Sequence, residues 1–186
     1  HRGGGGGGFG GADRPLEIRE EEPASGNGPE ADREPYSDIS GVEWAREAIL
    51  SLTEKGIING VEPGRFDPDA PITRAEFAKL TACAGKLELY EKVFADVSRD
   101  DWFCKYVGAC SESGIMLGME DGTMAPDRYI TRQDAAVMIK RLADRMRPLP
   151  EAAYSFADGA RIAGYAAEAV GCLADTGIMK GYEDNT

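Results

Sequence analysis

Apolar residues recur with the spacing of an α-helix at three places along the 186-residue chain. In each place they follow the order i, i+1, i+4, i+5, i+8, which sets them on one face of a helix. The pattern predicts three amphipathic helices whose apolar faces pack into a core. Tryptophans begin two of these faces, so core packing is their default role, with an apolar platform for a ligand as the alternative. The three sets are Trp44, Ala45, Ala48, Ile49, Leu52; Trp102, Phe103, Tyr106, Val107, Cys110; and Tyr165, Ala166, Ala169, Val170, Leu173.

A second kind of helix begins after a loop that is rich in proline and glycine. Its first residues read ITRAE at 72–76 and ITRQD at 130–134. A threonine followed three residues later by an acidic residue is the signature of a helix N-cap with a capping box. We therefore expect N-caps at two positions, with partner acids that cap and orient the helix start. These residues are Thr73 with Glu76, and Thr131 with Asp134.

The chain repeats itself with an offset of 58 residues. Residues 36–76 align with 94–134, and a third copy begins at Phe156. Each copy reads as helix, loop, helix, and units this short must pack on one another to bury a core. We expect an all-α body with a flexible linker over 1–35, repeats over 36–92 and 93–153, and a partial repeat over 154–186. The sequence stops before a third motif, so we interpret it as part of a longer protein.

Glycines mark the predicted end of each first helix. A glycine just past a helix end commonly adopts the left-handed conformation that closes the last turn. The three candidates are Gly56, Gly114 and Gly177. In the loops that follow, Phe66 and Met124 are the apolar residues that we expect to attach the loop to the core.

Charge and composition exclude several classes of function. A net charge of −12 and a pI near 4.6 argue against a nucleic-acid-binding protein and against docking on anionic lipid. No apolar run approaches the ~20 residues of a membrane span. The four cysteines form no CxxC pair and the single histidine is His1, so we expect no metal, no cofactor and no catalytic thiol.

The arginine of each motif needs its own explanation. A helix N-terminus is the positive end of the helix dipole, where a cation is mildly disfavoured. Arg74 and Arg132 could each complete an anion-binding corner with the first-turn N–H groups. Each could instead pair with an acid of its own loop and fix that loop in place, and the residues alone leave both readings open. The loop acids are Asp67, Asp69 and Asp127.

These motifs together resemble the S-layer homology (SLH) domain. The pattern is Phe/Tyr-x-Asp-Ile/Val, then tryptophan, then Gly-Ile-x-x-Gly, a Pro/Gly loop and Ile-Thr-Arg-Ala-Glu, and it covers residues 36–186. The resemblance implies three tandem repeats in a pseudo-threefold helical body. It also implies a non-catalytic module that anchors an exported protein to the bacterial cell wall or surface layer by binding a secondary cell-wall polysaccharide, often one with acidic pyruvyl ketals.

The same resemblance implies that ligands bind in grooves between repeats and that the motif arginine contacts them. Carried over by position, the expected polysaccharide contacts are Arg74, Arg132, Trp44, Trp102, Gly60 and Gly118. Departures from the pattern include the missing third motif, TRQD in the second motif, and Tyr165 in place of tryptophan. A different possibility is a protein-interaction or self-assembly module that makes lattice contacts with other surface proteins.

Overall fold

The computed structural model describes residues 34–153 and 156–181, so nearly all of the predicted linker lies outside it. Over these residues the fold is all-α, as predicted, with five α-helices, one 3-10 turn and no β-strand. The 3-10 turn spans Gly159–Arg161. The α-helices are α1 (Glu43–Glu54), α2 (Arg74–Ala84), α3 (Cys104–Glu112), α4 (Arg132–Met146) and α5 (Ala167–Asp175). The boundaries of the three repeats and their pseudo-threefold arrangement stay predictions.

Glycine ends the first helix of each repeat, as the sequence predicts. Gly56, Gly114 and Gly177 follow the C-caps of α1, α3 and α5 with φ of 66°, 69° and 72°. This is the left-handed region, which glycine adopts without a Cβ penalty. The chain can therefore turn sharply after each helix into the loop that leads toward the next motif.

An aspartate near the start of each of the first two repeats holds the Pro/Gly loop of that repeat. The Asp38 carboxylate accepts hydrogen bonds from the N–H groups of Phe66 (2.9 Å) and Asp67 (2.7 Å). Asp96 accepts corresponding bonds from Met124 (2.9 Å) and Ala125 (2.7 Å). These backbone N–H bonds, of which the one from Phe66 has the largest effect, lower the pKa of Asp38 and so favour its charged form.

The loops also carry a left-handed residue that is not glycine. Asp67 has φ of 60° and Ala125 has φ of 47°. A side chain in this region carries a steric cost, because Cβ crowds the following carbonyl. The aspartate-to-amide bonds on both loops therefore stabilise a conformation that the local sequence does not favour.

Three buried clusters form the core. The largest joins α2, α3 and part of α4, and it includes Met124, which attaches its loop to the core as predicted. A second joins α4 with α5, and a third lies under α1, where Phe66 is partly buried against Tyr36. Consecutive repeats are thus connected by shared apolar contacts.

Of the two interpretations of the tryptophans, core packing is wrong. Trp44, Trp102 and Tyr165 are 89%, 54% and 63% exposed. In the second and third repeats the helix begins two residues after the aromatic, at Cys104 and Ala167, so that residue lies in the preceding turn and outside the apolar face.

The four cysteines are free thiols. Cys104, Cys110 and Cys172 are buried and Cys83 is partly buried. Burial raises the pKa of Cys110 to about 12, so this thiol stays protonated at neutral pH. No helix in the described ranges has the length and apolar character required to cross a membrane.

Candidate functional site

Arg74 lies at the junction of the first two repeats. Its side chain is only 6% exposed, although it is charged. The Nε atom donates to the carbonyl of Met124 (3.0 Å), and Nη2 donates to the carbonyl of Leu117 (3.2 Å). The pairing with an aspartate of its own loop is therefore wrong, because the guanidinium bonds backbone carbonyls that lie 43 and 50 residues further along the chain. Charge-assisted bonds of this kind compensate the cost of burying a cation.

The N-terminus of α2 has its first amides occupied by the protein itself. Arg74 N–H donates to the carbonyl of Arg128 (2.9 Å) and Ala75 N–H donates to that of Pro126 (3.0 Å). Ile130 N–H returns a bond to the carbonyl of Ile72 (3.0 Å), which closes a short antiparallel pairing between the two motif segments. The open amides that the anion-corner hypothesis requires are thus already bonded at this helix.

The capping residues of the two motifs behave differently. At α2 the bonds are reciprocal: the Glu76 carboxylate accepts from Thr73 N–H (2.8 Å), and Thr73 Oγ1 accepts from Glu76 N–H (3.2 Å). At α4, Thr131 Oγ1 accepts from Asp134 N–H (3.2 Å), and the Thr131 hydroxyl donates to Asp134 Oδ2 (2.7 Å), as the Thr73 hydroxyl does to Glu76 (2.8 Å). Among the described contacts, however, the shorter Asp134 side chain does not reach back to Thr131 N–H. The second oxygen of Asp134 is thereby left for a different donor.

That donor is Tyr165 of the third repeat, whose hydroxyl lies 2.6 Å from Asp134 Oδ1. Burial opposes ionisation of Asp134, but the bonds from Tyr165 and Thr131 and the charge of Arg74 outweigh it and hold the pKa of this carboxyl below its usual value. The same bond, with burial, raises the pKa of Tyr165. The aromatic position of the third repeat is therefore joined to the motif of the second.

Arg132 has an exposed guanidinium that donates to the carbonyl of Lys180. Lys180 precedes the second glycine of its Gly-Ile-x-x-Gly turn, as Leu117 does in the turn that Arg74 contacts. Each motif arginine therefore bonds the corresponding turn of the next repeat. A cavity of about 180 Å³ lies beside Arg132, bordered by residues that include Asp158, Ile162 and Met179.

An open groove of about 570 Å³ lies where the first repeat meets Trp102. Its walls come from the Gly-Ile-x-x-Gly turn, the Pro/Gly loop and α2 of the first repeat. Trp102, Gly60 and Glu76 line it, which brings three predicted site residues together. Lys79 also lines it, one turn along α2 from Glu76. The groove thus combines an exposed aromatic face with charged groups.

Other predicted site residues lie elsewhere or have a structural reason. Trp44 is almost fully exposed and is not part of the groove lining. A Cβ on Gly60 would lie 2.5 Å from the carbonyl oxygen of Arg65, and one on Gly118 would lie 2.7 Å from that of Thr123. Both glycines are therefore required by the close approach of their own loops. Their role in ligand binding stays a prediction.

The family model for the S-layer homology domain matches residues 35–78, 93–136 and 155–186, more than half of the chain. The chain belongs to the S-layer homology domain family. Domains of this family are non-catalytic anchoring modules, and membership supports a role in cell-wall anchoring. The three matched segments correspond to the three copies recognised in the sequence.

Curated relatives of this SLH chain include surface proteins. The surface-layer 125 kDa protein of Lysinibacillus sphaericus is 35% identical over 152 residues, which are 81% of this chain and 12% of that protein. The middle cell wall protein of Brevibacillus brevis is 29% identical over 133 residues, 68% of this chain and 12% of that protein. The endoglucanase of Bacillus sp. strain KSM-635 is 30% identical over 153 residues, 81% of this chain and 16% of that protein.

The chain spans less than a fifth of the length of these relatives. Together with the family, the surface-layer and cell-wall relatives indicate a location at the cell surface or cell wall.

The sequence patterns alone did not identify two residues that lie at the junctions between repeats. Lys79 lies outside the five-residue motif, and its counterpart 58 positions later is Val137, so the repeat gives no signal for it. Gln133 replaces the alanine of the first motif, and its Oε1 accepts from Ala163 N–H (3.0 Å) in the third repeat. The departure of TRQD from TRAE was the available signal for this second contact.

Proposed function

We propose that this SLH chain tethers a larger surface protein by binding an anionic secondary cell-wall polysaccharide, with a pyruvylated sugar as the expected ligand. The observation that supports this most is the open groove beside Trp102. The C–H faces of a sugar ring are apolar, and an exposed indole offers them a large flat contact. An open groove of this kind can admit one ring of a polymer chain.

The groove offers one cation, Lys79, to an anionic group on that sugar. Both nearby acids are already engaged, because Glu76 bonds Thr73 and Asp67 bonds Arg65 Nη2 (3.1 Å). Within the described ranges, the Lys79 ammonium has no carboxylate at ion-pair distance, although it lines the groove. The cation that is open to a ligand is therefore the lysine. Asp67 is ion-paired with Arg65, while Glu76 keeps its charge and is held on the Thr73 N-cap.

The motif residues serve this function through the junctions between repeats. We infer that Arg74 contributes by fixing the first two repeats to each other through its bonds to the carbonyls of Leu117 and Met124. Arg132, with its exposed guanidinium, is the motif arginine that is better placed to reach a ligand directly. Several weak sites on one body would gain affinity for a repetitive polymer through avidity.

Sedimentation with purified cell-wall sacculi tests the proposal. The chain should sediment with intact sacculi and with protease-treated sacculi, since the ligand is a polysaccharide. It should remain in solution when the secondary polymer has been stripped and bare peptidoglycan is left. Sedimentation that is lost after protease treatment would favour a protein partner and would contradict the proposal.

A second candidate function is contact with other surface proteins. A separate groove of about 570 Å³ lies between the segment after α2 and the ends of α3 and α4. Tyr90 and Met146 line it and are 52% and 78% exposed, and Leu89 and Val93 nearby are also exposed. Exposed apolar patches often mark interaction sites. The protease-treated sacculi discriminate between this function and polysaccharide binding.

A further inference from the structure

The two junctions between repeats differ in how many of their motif side chains bond the next repeat. At the second junction three motif side chains bond the third repeat: Arg132 with the Lys180 carbonyl, Gln133 with Ala163 N–H, and Asp134 with the Tyr165 hydroxyl. At the first junction an alanine takes the glutamine position and Glu76 is turned back onto its own N-cap. The first junction is therefore left open at the place where the second is joined.

The position of Lys79 is the sharpest difference. Its counterpart, Val137, is 8% exposed and packs in the cluster that joins α4 and α5. Lys79 is only partly buried and borders the groove together with Trp102. A lysine keeps its aliphatic stem on the protein and extends its ammonium toward water, so it can meet an anionic ligand without losing a partner.

We propose that Lys79 is the residue that recognises the anionic group of the polymer in the groove beside Trp102. The second junction, where Val137 occupies the equivalent position, is then the weaker site. The inference rests on the proposed function and deepens it. An ammonium and an exposed indole on neighbouring walls fit a ligand with one apolar sugar face and one carboxylate. The second junction keeps a cation in Arg132, but that guanidinium already donates to the Lys180 carbonyl. It has Val137 in place of the ammonium, and Tyr165, whose hydroxyl is committed to Asp134, in place of the tryptophan.

Titration with the purified secondary polymer tests this inference. Lys79→Met removes the ammonium and keeps an unbranched chain, and it should weaken binding roughly 10- to 100-fold, which is the usual effect of losing one charge-assisted contact. Lys79→Arg restores a cation and should retain most of the affinity. Lys86→Met is the matched control, since Lys86 borders the other groove and not this one. Urea titration of each variant verifies that it is folded.

A second readout separates charge recognition from a structural effect. When the acidic ketals are removed from the polymer, wild type and Lys79→Met should bind equally weakly. Unchanged affinity of folded Lys79→Met for the intact polymer would overturn the inference and leave the proposed function standing. A wild-type chain that fails to bind the intact polymer would overturn the proposed function, and this inference with it.

Discussion

The guanidinium of Arg74 bonds the backbone carbonyl of Leu117 across 43 residues of chain (3.2 Å), and so connects the motif of one repeat to the turn of the next. The carbonyl of Met124 receives a second bond from the same group. The cation lies near the positive end of its helix because these carbonyls and the nearby Asp134 compensate it. The arginine of the motif is thus an internal connection at the first junction.

Replacement of Arg74 should therefore destabilise the chain. Arg74→Ala leaves two carbonyls without their donor and opens a buried position, and we expect the free energy of unfolding to fall by ~2–4 kcal/mol. A urea titration that follows helical circular dichroism measures the change. Arg132→Ala is the matched control, and we expect a smaller loss because its guanidinium is exposed. An Arg74→Ala chain as stable as wild type would contradict the account of this junction.

The bond between Tyr165 and Asp134 should make part of the stability depend on pH. The pKa of Asp134 is lowered in the folded chain, so ionisation stabilises the fold above the ordinary pKa of about 4. This stabilisation is lost as pH falls through the folded value. Tyr165→Phe removes one cause of the lowered pKa, and we expect a smaller loss of stability on acidification than in wild type.

Unfolding by urea at a series of pH values from about 6 to about 3 measures that difference. Tyr129→Phe is the control, since Tyr129 is 60% exposed and its hydroxyl has no bond among the described contacts. The other carboxylates contribute alike in both variants. Equal acid sensitivity in the two variants would show that the Tyr165 bond is absent in solution.

Replacing Ala125, whose backbone is in the left-handed region, with glycine should stabilise the second loop. Ala125 has φ of 47°, where glycine carries no Cβ penalty. Ala125→Gly should raise the free energy of unfolding by up to about 1 kcal/mol, because the gain in the loop exceeds the added entropy of the unfolded chain. Ala95→Gly, at an ordinary loop position, should lower it slightly. A loss at both positions would show that Ala125 is not strained.

Tryptophan fluorescence should report which aromatic residue meets the polymer. The chain has two tryptophans, and Trp102 lines the groove while Trp44 does not. In Trp44→Phe the remaining Trp102 emission should change on addition of the polymer, since the indole passes from water to a sugar face. In Trp102→Phe the change should be much smaller. The reverse pattern would move the binding site to the neighbourhood of Trp44.

Local features of this fold were predictable from the sequence. The glycines that end α1, α3 and α5 and the threonine that begins α2 act through bonds within a few residues, and such patterns are readable in the chain. The exposure of Trp102 could not be predicted from the sequence. Helical spacing places this residue on the apolar side and does not show that α3 begins later, at Cys104. Periodicity does not distinguish a groove wall from a core residue when the helix start is uncertain by two positions.

Contacts between repeats could not be predicted from the sequence, for a different reason. Arg74 has acids in its own loop, and charge alone favours them over carbonyls 43 and 50 residues away. Only the packing of one repeat on the next makes those carbonyls available. Lys79 was not predicted because its counterpart in the second repeat is Val137, so the two repeats do not share a lysine at this position. Differences between repeats carried the information that their similarities did not.

Equilibrium binding of the chain to purified secondary polymer, intact and with its acidic ketals removed, tests the central claim most directly. We predict binding to the intact polymer and a marked loss of affinity when the ketals are absent, since the open cation in the groove then has no anion to meet. Equal binding to both forms, or no binding to either, would contradict the claim that this chain anchors its protein through an anionic wall polysaccharide.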